Sequence, residues 1–162
     1  MECKPLSKQR RLHGLLSIVL LDTANLVALV ALFLTSPIQG AIFLFCYIGG
    51  AVLIVYSYCC KCSCREHGCA HVVPGLFASA LPRRRPGKYT GTDLMGVALP
   101  VTVLLIFPQS ALMSFGWPFY LYWGLVSAGI LDIVMFVCPR CDNKRCLVKG
   151  GHSGQGEESE TE

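Results

Sequence analysis

The residues best equipped for chemistry are cysteines, ten of them in a chain of 162 residues and most in short spacings. Cys59 and Cys62 form one C-x2-C pair, and Cys138 and Cys141 form another, as Cys-Pro-Arg-Cys. Two intervening residues let the backbone turn sharply and aim both sulfurs at one ion. Two such pairs supply the four thiolates of a tetrahedral zinc site. A second set comprises Cys60, Cys64, His67, Cys69, His71 and Cys146. Within it, the run from Cys64 to His71 offers four ligands of suitable softness, and Gly68 permits a tight loop. Together these residues can hold one or two zinc ions. An iron–sulfur centre is the alternative. Cys64-x4-Cys69 and Cys141-x4-Cys146 echo fragments of the ferredoxin spacings, but neither pattern is complete. Palmitoylation of membrane-proximal cysteines is the competing reading.

These residues have to be positioned by membrane-crossing helices. The chain is 53% hydrophobic and only 15% charged, against about a quarter charged in soluble domains. The charge is confined to short segments between long uncharged ones. Leu15 to Leu34 is an apolar run long enough, at about 1.5 Å per residue, to span a hydrocarbon core of about 30 Å. Its length, its interruption by Asp22 and Asn25 and the absence of a small-residue cleavage site argue against a signal peptide. A turn over Thr35 to Gly40 leads to a second span, Ala41 to Tyr58. A third starts near Leu94 and needs to run to about Phe115, kinked at Pro100 and Pro108. Gly116-Trp117-Pro118 makes a tight turn, and a fourth span covers Phe119 to Val137.

The expected organisation is therefore a basic N-terminal segment (1–14), a first transmembrane hairpin (15–58), a Cys/His-rich basic loop (59–93), a second hairpin (94–137), a Cys-rich segment (138–149) and a disordered acidic tail (150–162). Four spans put the N-terminus, the loop and the tail on one side. All 14 Lys and Arg residues fall in those three segments and none in the two short connections. The positive-inside rule assigns that side to the cytoplasm. Every cysteine except Cys46 is on it, which makes disulfides the wrong default. Val55-Tyr-Ser-Tyr-Cys-Cys-Lys-Cys and Val134-Met-Phe-Val-Cys-Pro-Arg-Cys echo each other faintly, too slightly to establish gene duplication. The second and fourth spans run in parallel, so their cysteine ends can sit side by side.

Other residues have more ordinary readings. Asp22, Asn25 and Asp132 are polar groups within spans. Such groups mark function or pair across the bundle. The structural contact is favoured for Asp22, and Asp132 is near enough to the end to reach the interface. Gly49, Gly50, Gly124, Ala128 and Gly129 read as close helix packing. Trp117, Tyr120, Tyr122 and Trp123 read as an interfacial aromatic belt. Arg83, Arg84, Arg85 and Lys88 suit anionic lipid headgroups, and Val72 to Leu81 suits a short interfacial helix. Nucleic acid is not expected as a partner. No Ser/His/Asp arrangement, phosphate-binding glycine loop or HExxH motif is present.

The sequence thus describes an all-α membrane protein of four transmembrane helices in two hairpins, with a cytoplasmic Cys/His-rich loop and tail. The first expectation for its function is a non-enzymatic module in which zinc shapes a docking face for a membrane or cytoplasmic protein partner. Two alternatives are a redox component with an iron–sulfur centre or reactive thiols, and a metal-ion handling or transport protein.

Overall fold

A computed structural model describes residues 8–62, 72–82, 84 and 89–139. Those residues form helices and no strand: α1 (Lys8–Thr35), α2 (Pro37–Ser57), a 3-10 turn (Cys59–Lys61), α3 (Val72–Ala80), α4 (Gly91–Ile106), α5 (Gln109–Phe115) and α6 (Trp117–Asp132), which continues as a π-helical turn (Ile133–Val137). Four helical stretches are long and apolar enough to cross a bilayer: Arg11–Thr35, Pro37–Lys61, Gly91–Phe115 and Trp117–Val137, of 25, 25, 25 and 21 residues. The chain is an integral, multi-pass membrane protein by these spans. Its outward surface agrees, since Leu12, Leu26, Leu34, Phe45, Trp117 and Tyr120 all stand exposed, as side chains do where the surrounding medium is hydrocarbon.

The breaks between helices are sharper than their sequence signals. α1 and α2 are separated by Ser36 alone, in extended backbone (φ −157°, ψ 117°), and Pro37 opens α2 where its missing N–H costs nothing. Gly40, expected in a turn, lies inside α2. A Cβ there would meet the Phe33 ring at 2.6 Å, so the glycine is what lets α1 fold back so tightly. Pro100 does not break α4. It is buried and packs against Gly50. The third span breaks instead at Phe107–Pro108, and Gly116, at φ +73°, turns α5 into α6.

Helix α1 is the organising element. It packs most extensively against α6 and next against α2, while α2 also packs against α4. The α1 face that does this is a seam of small residues: Gly14, Ser17, Ala24, Ala28 and Ala31 are all buried. Their spacing repeats at three, four and seven residues, so they share one helix face. Small side chains let backbones approach closely, which is the main source of helix association in lipid. Gly129 of α6 fits there, where a Cβ would come within 3.0 Å of Leu21 and 3.5 Å of the Ser17 carbonyl. Of the small residues expected to pack, Gly50 and Gly129 do so. Gly49, Gly124 and Ala128 are exposed, and a Cβ at either glycine would meet nothing within 4 Å. Residue size cannot indicate which side of a helix faces lipid.

The break at Pro108 is repaired from α6. A proline at this position leaves the Leu104 carbonyl without its helical N–H. Tyr122 Oη donates to that carbonyl at 3.1 Å. Beside it, Gln109 donates through Nε2 to Leu105 O and accepts from Trp123 Nε1 at 3.1 Å. Tyr122 is only 1% exposed, so its place in the aromatic belt is corrected. Trp117, Tyr120 and Trp123 remain outward-facing.

Candidate functional site

The start of α1, the end of α2, the start of α4 and the π-helical turn meet at one end of the bundle. The joins are specific. His13 on α1 meets Asp132 and Phe136, Lys61 after α2 meets Asp93 on α4, and α3 packs against α1, α2 and the 3-10 turn. Every cysteine among the described residues except Cys46 is at this end.

The first C-x2-C pair is held in a rigid frame. Cys59 to Cys62 is a 3-10 turn closed by the Cys62 N–H on the Cys59 carbonyl at 3.1 Å. Its two middle residues are anchors. Cys60 is buried (1% exposed), with its thiol 3.9 Å from the Ala78 carbonyl of α3. Lys61 donates to Asp93 Oδ2. Cys59 and Cys62 flank these anchors half-exposed. Next to them, Tyr58 and Tyr89 stack with ring centroids 4.5 Å apart. α3 covers the turn with Gly75 and Ala78 and exposes Val72, Val73, Leu76 and Phe77. Pro74 is tolerated because it falls in the first helical turn.

Asp93 is the electrostatic centre of this end. It is 1% exposed. Its carboxylate accepts from the Thr90 backbone N–H at 2.9 Å and the Thr90 hydroxyl at 2.8 Å, capping α4. It also binds two cations, Lys61 and Arg84, the latter at 2.7 Å. Arg84 further lies over the Tyr56 ring, 5.2 Å from its centroid. Of the four basic residues read for anionic lipid, Arg84 is the one within the described residues, and its guanidinium is engaged inside the protein.

His13 was not singled out by its sequence context, yet it forms the second polar join. Its Nδ1 is 2.7 Å from Asp132 Oδ1, and its ring stacks on Phe136 at 4.4 Å. Asp132 is buried (9% exposed) rather than turned to the interface. A carboxylate held against Nδ1 in this way is how a ligating or basic histidine is oriented. The local π-turn, in which the Cys138 N–H bonds to Ile133 O at 2.8 Å, adds a residue to the helix at this point. The available signal was Asp132 itself, since a carboxylate in an apolar run needs a partner.

The sequence expected Cys59–Cys62 and Cys138–Cys141 to be neighbours at parallel helix ends. α2 and α6 do end together, but α1 packs against both of them, and the pair is not among the extensive helix contacts. Among the described residues, no three His, Cys, Asp or Glu side chains gather as a metal site. Cys64, His67, Cys69, His71, Cys141 and Cys146 lie outside the described residues, as do Arg83, Arg85, Lys88 and the acidic tail.

Fold and contacts define the class: an all-helical, multi-pass membrane protein whose ion pairs, among the described residues, gather at one end. Comparisons with family models, with curated proteins and with solved structures return no match.

Proposed function

We propose that this is a non-enzymatic membrane module whose Cys/His-rich end binds zinc and presents a docking face to a protein partner. The observation that carries this reading is the 3-10 turn at the end of α2. It leaves Cys59 and Cys62 half-exposed while Cys60 and Lys61 anchor it to α3 and Asp93. Preorganised thiols lower the ordering cost of metal binding. Cys138 ends α6 at the same end of the bundle and begins the second C-x2-C pair. Cys59, Cys62, Cys138 and Cys141 are assigned as the zinc thiolates, and Cys60 as a packing residue. Cys64, His67, Cys69, His71 and Cys146 supply a second site. All 14 Lys and Arg residues belong to the segments on this side, so it is oriented to the cytoplasm.

The test is elemental analysis of protein purified in mild detergent without added chelator. About one or two zinc per chain is expected, falling on Cys59→Ser with Cys62→Ser and on Cys138→Ser with Cys141→Ser. Metal-free protein that folds normally rejects the reading. A visible absorption band from anaerobically purified protein replaces zinc with an iron–sulfur centre, since zinc thiolate sites are colourless.

A further inference from the structure

A second site lies far from the Cys-rich end of the bundle. Asp22, Asn25 and Tyr47, with Leu26, Phe43 and Leu44, line a cavity of about 240 Å3 between α1 and α2. Asp22 and Asn25 fall near the middle of the span Arg11–Thr35, and Tyr47 near the middle of Pro37–Lys61. The cavity therefore sits at mid-depth, about 15–20 Å from the ends of those spans. Asp22, Leu26 and Leu44 are exposed, so it opens sideways into hydrocarbon.

Its polar groups are short of donors. Tyr47 Oη donates to Asp22 Oδ1 at 2.6 Å. Asn25 Nδ2 donates to the Leu21 carbonyl at 2.8 Å, but Asn25 Oδ1 is buried with no donor. No Lys or Arg lines the cavity, and among the described residues the hydrogen-bond partner of Asp22 is a neutral phenol. A carboxylate and an orphan amide oxygen at this depth are costly unless something brings positive charge and N–H groups to them.

We propose that this cleft binds a lipid-dissolved organic cation, an apolar molecule carrying a protonated primary or secondary amine. Its ammonium sits on Asp22 and donates to Asn25 Oδ1, and its apolar body lies along Leu26, Phe43 and Leu44. The volume suits a small ligand, being below the roughly 300–1,000 Å3 of drug-sized pockets. A bare metal cation is less well served. The site offers oxygens from three side chains, against the roughly six to eight ligands of a calcium site, and most of its wall is apolar. A second copy of the chain brings no cation to this depth, because its spans carry Lys or Arg only at their ends, at Arg11 and Lys61.

The experiment titrates the full chain in nanodiscs with decylamine, decyltrimethylammonium, decanol and sodium chloride, reading the unfolding temperature and, by calorimetry, the affinity. Decylamine is expected to saturate and to bind about tenfold or more tighter than decyltrimethylammonium, which has no N–H, and than decanol, which has no charge. Asp22→Asn should weaken decylamine about ten- to a hundredfold, the range expected for a hydrogen bond to a charged group. Asn25→Leu should weaken it about tenfold while staying folded, because it removes an unsatisfied buried oxygen. That variant keeps the test valid if Asp22→Asn does not fold. Equal affinity for decylamine and decanol, unchanged affinity in both variants, or the same saturable response to sodium alone would each overturn the proposal. The zinc reading is independent of it.

Discussion

Asp93 and Asp22 both sit on membrane-crossing helices, and their surroundings are opposite. Asp93, at the bundle end, is buried with two cations and two Thr90 donors on its oxygens. Asp22, at mid-depth, is exposed on one side and has a tyrosine hydroxyl as its partner. A carboxylate whose charge is fully met inside the chain holds structure together. One whose charge is left open is available to something else. Asp132 stands between them, with Oδ1 on His13 and Oδ2 buried without a partner.

The comparison can be broken at Asp93 first. Asp93→Ala removes the α4 cap and leaves Lys61 and Arg84 without their shared anion. Breaking a buried ion pair costs about 3–5 kcal/mol, so the unfolding transition in mixed micelles should shift by most of that range. A shift no larger than that of Asp22→Asn would erase the distinction. His13→Ala comes next. It strips Asp132 of its remaining donor and removes the stack on Phe136, and should cost about 1–3 kcal/mol in the same titration. A loss confined to the ends of α1 and α6, seen by amide exchange, would show the pair to be a local clasp.

Gly96→Ala probes the packing beside Asp93. The new Cβ would lie 2.8 Å from Ser57 Cβ, and overpacking of this kind costs about 1–3 kcal/mol. Gly49→Ala and Gly124→Ala, where the Cβ enters open space, should leave the same midpoint unchanged or slightly raised. Tyr122→Phe removes the donor that satisfies Leu104 O and should cost about 1 kcal/mol, the scale of hydrogen bonds measured between membrane helices. The smallest effect is expected for Asp22→Asn, which keeps an acceptor for Tyr47. Its unfolding midpoint should match that of the unmutated protein, and its consequence should appear in amine binding alone.

Much of the framework was legible from residue order. A span is a local property: an unbroken apolar run of sufficient length must be helical in lipid because its backbone groups have no other partners. Pro37, Pro108 and Gly116 mark breaks because they act on their own backbone. The pairing of side chains was not legible in the same way. Asp132 announced a need for a partner, but His13 is far away in sequence and sits among ordinary basic residues. Tyr122 looked like its exposed neighbours Tyr120 and Trp123, and only the rotation of α6 turned it toward the carbonyl left by Pro108.

The sequence by itself therefore determined the four apolar spans, the concentration of basic residues and cysteines in the segments between them, and the C-x2-C spacing whose first copy folds as a tight turn. Each follows from composition or from residues near one another in the chain. Only the tertiary structure decided that α1 lies between the helices bearing the two C-x2-C pairs, that Cys60 is packed away under α3, that Lys61 and Arg84 serve Asp93, and that Asp22 and Asn25 border an open cleft. Those outcomes depend on which helix face meets which neighbour. Small residues at Gly14, Ser17, Ala24, Ala28 and Gly129 settle that for α1 and α6 by permitting close approach along one seam, as Gly50 does for α2 and α4.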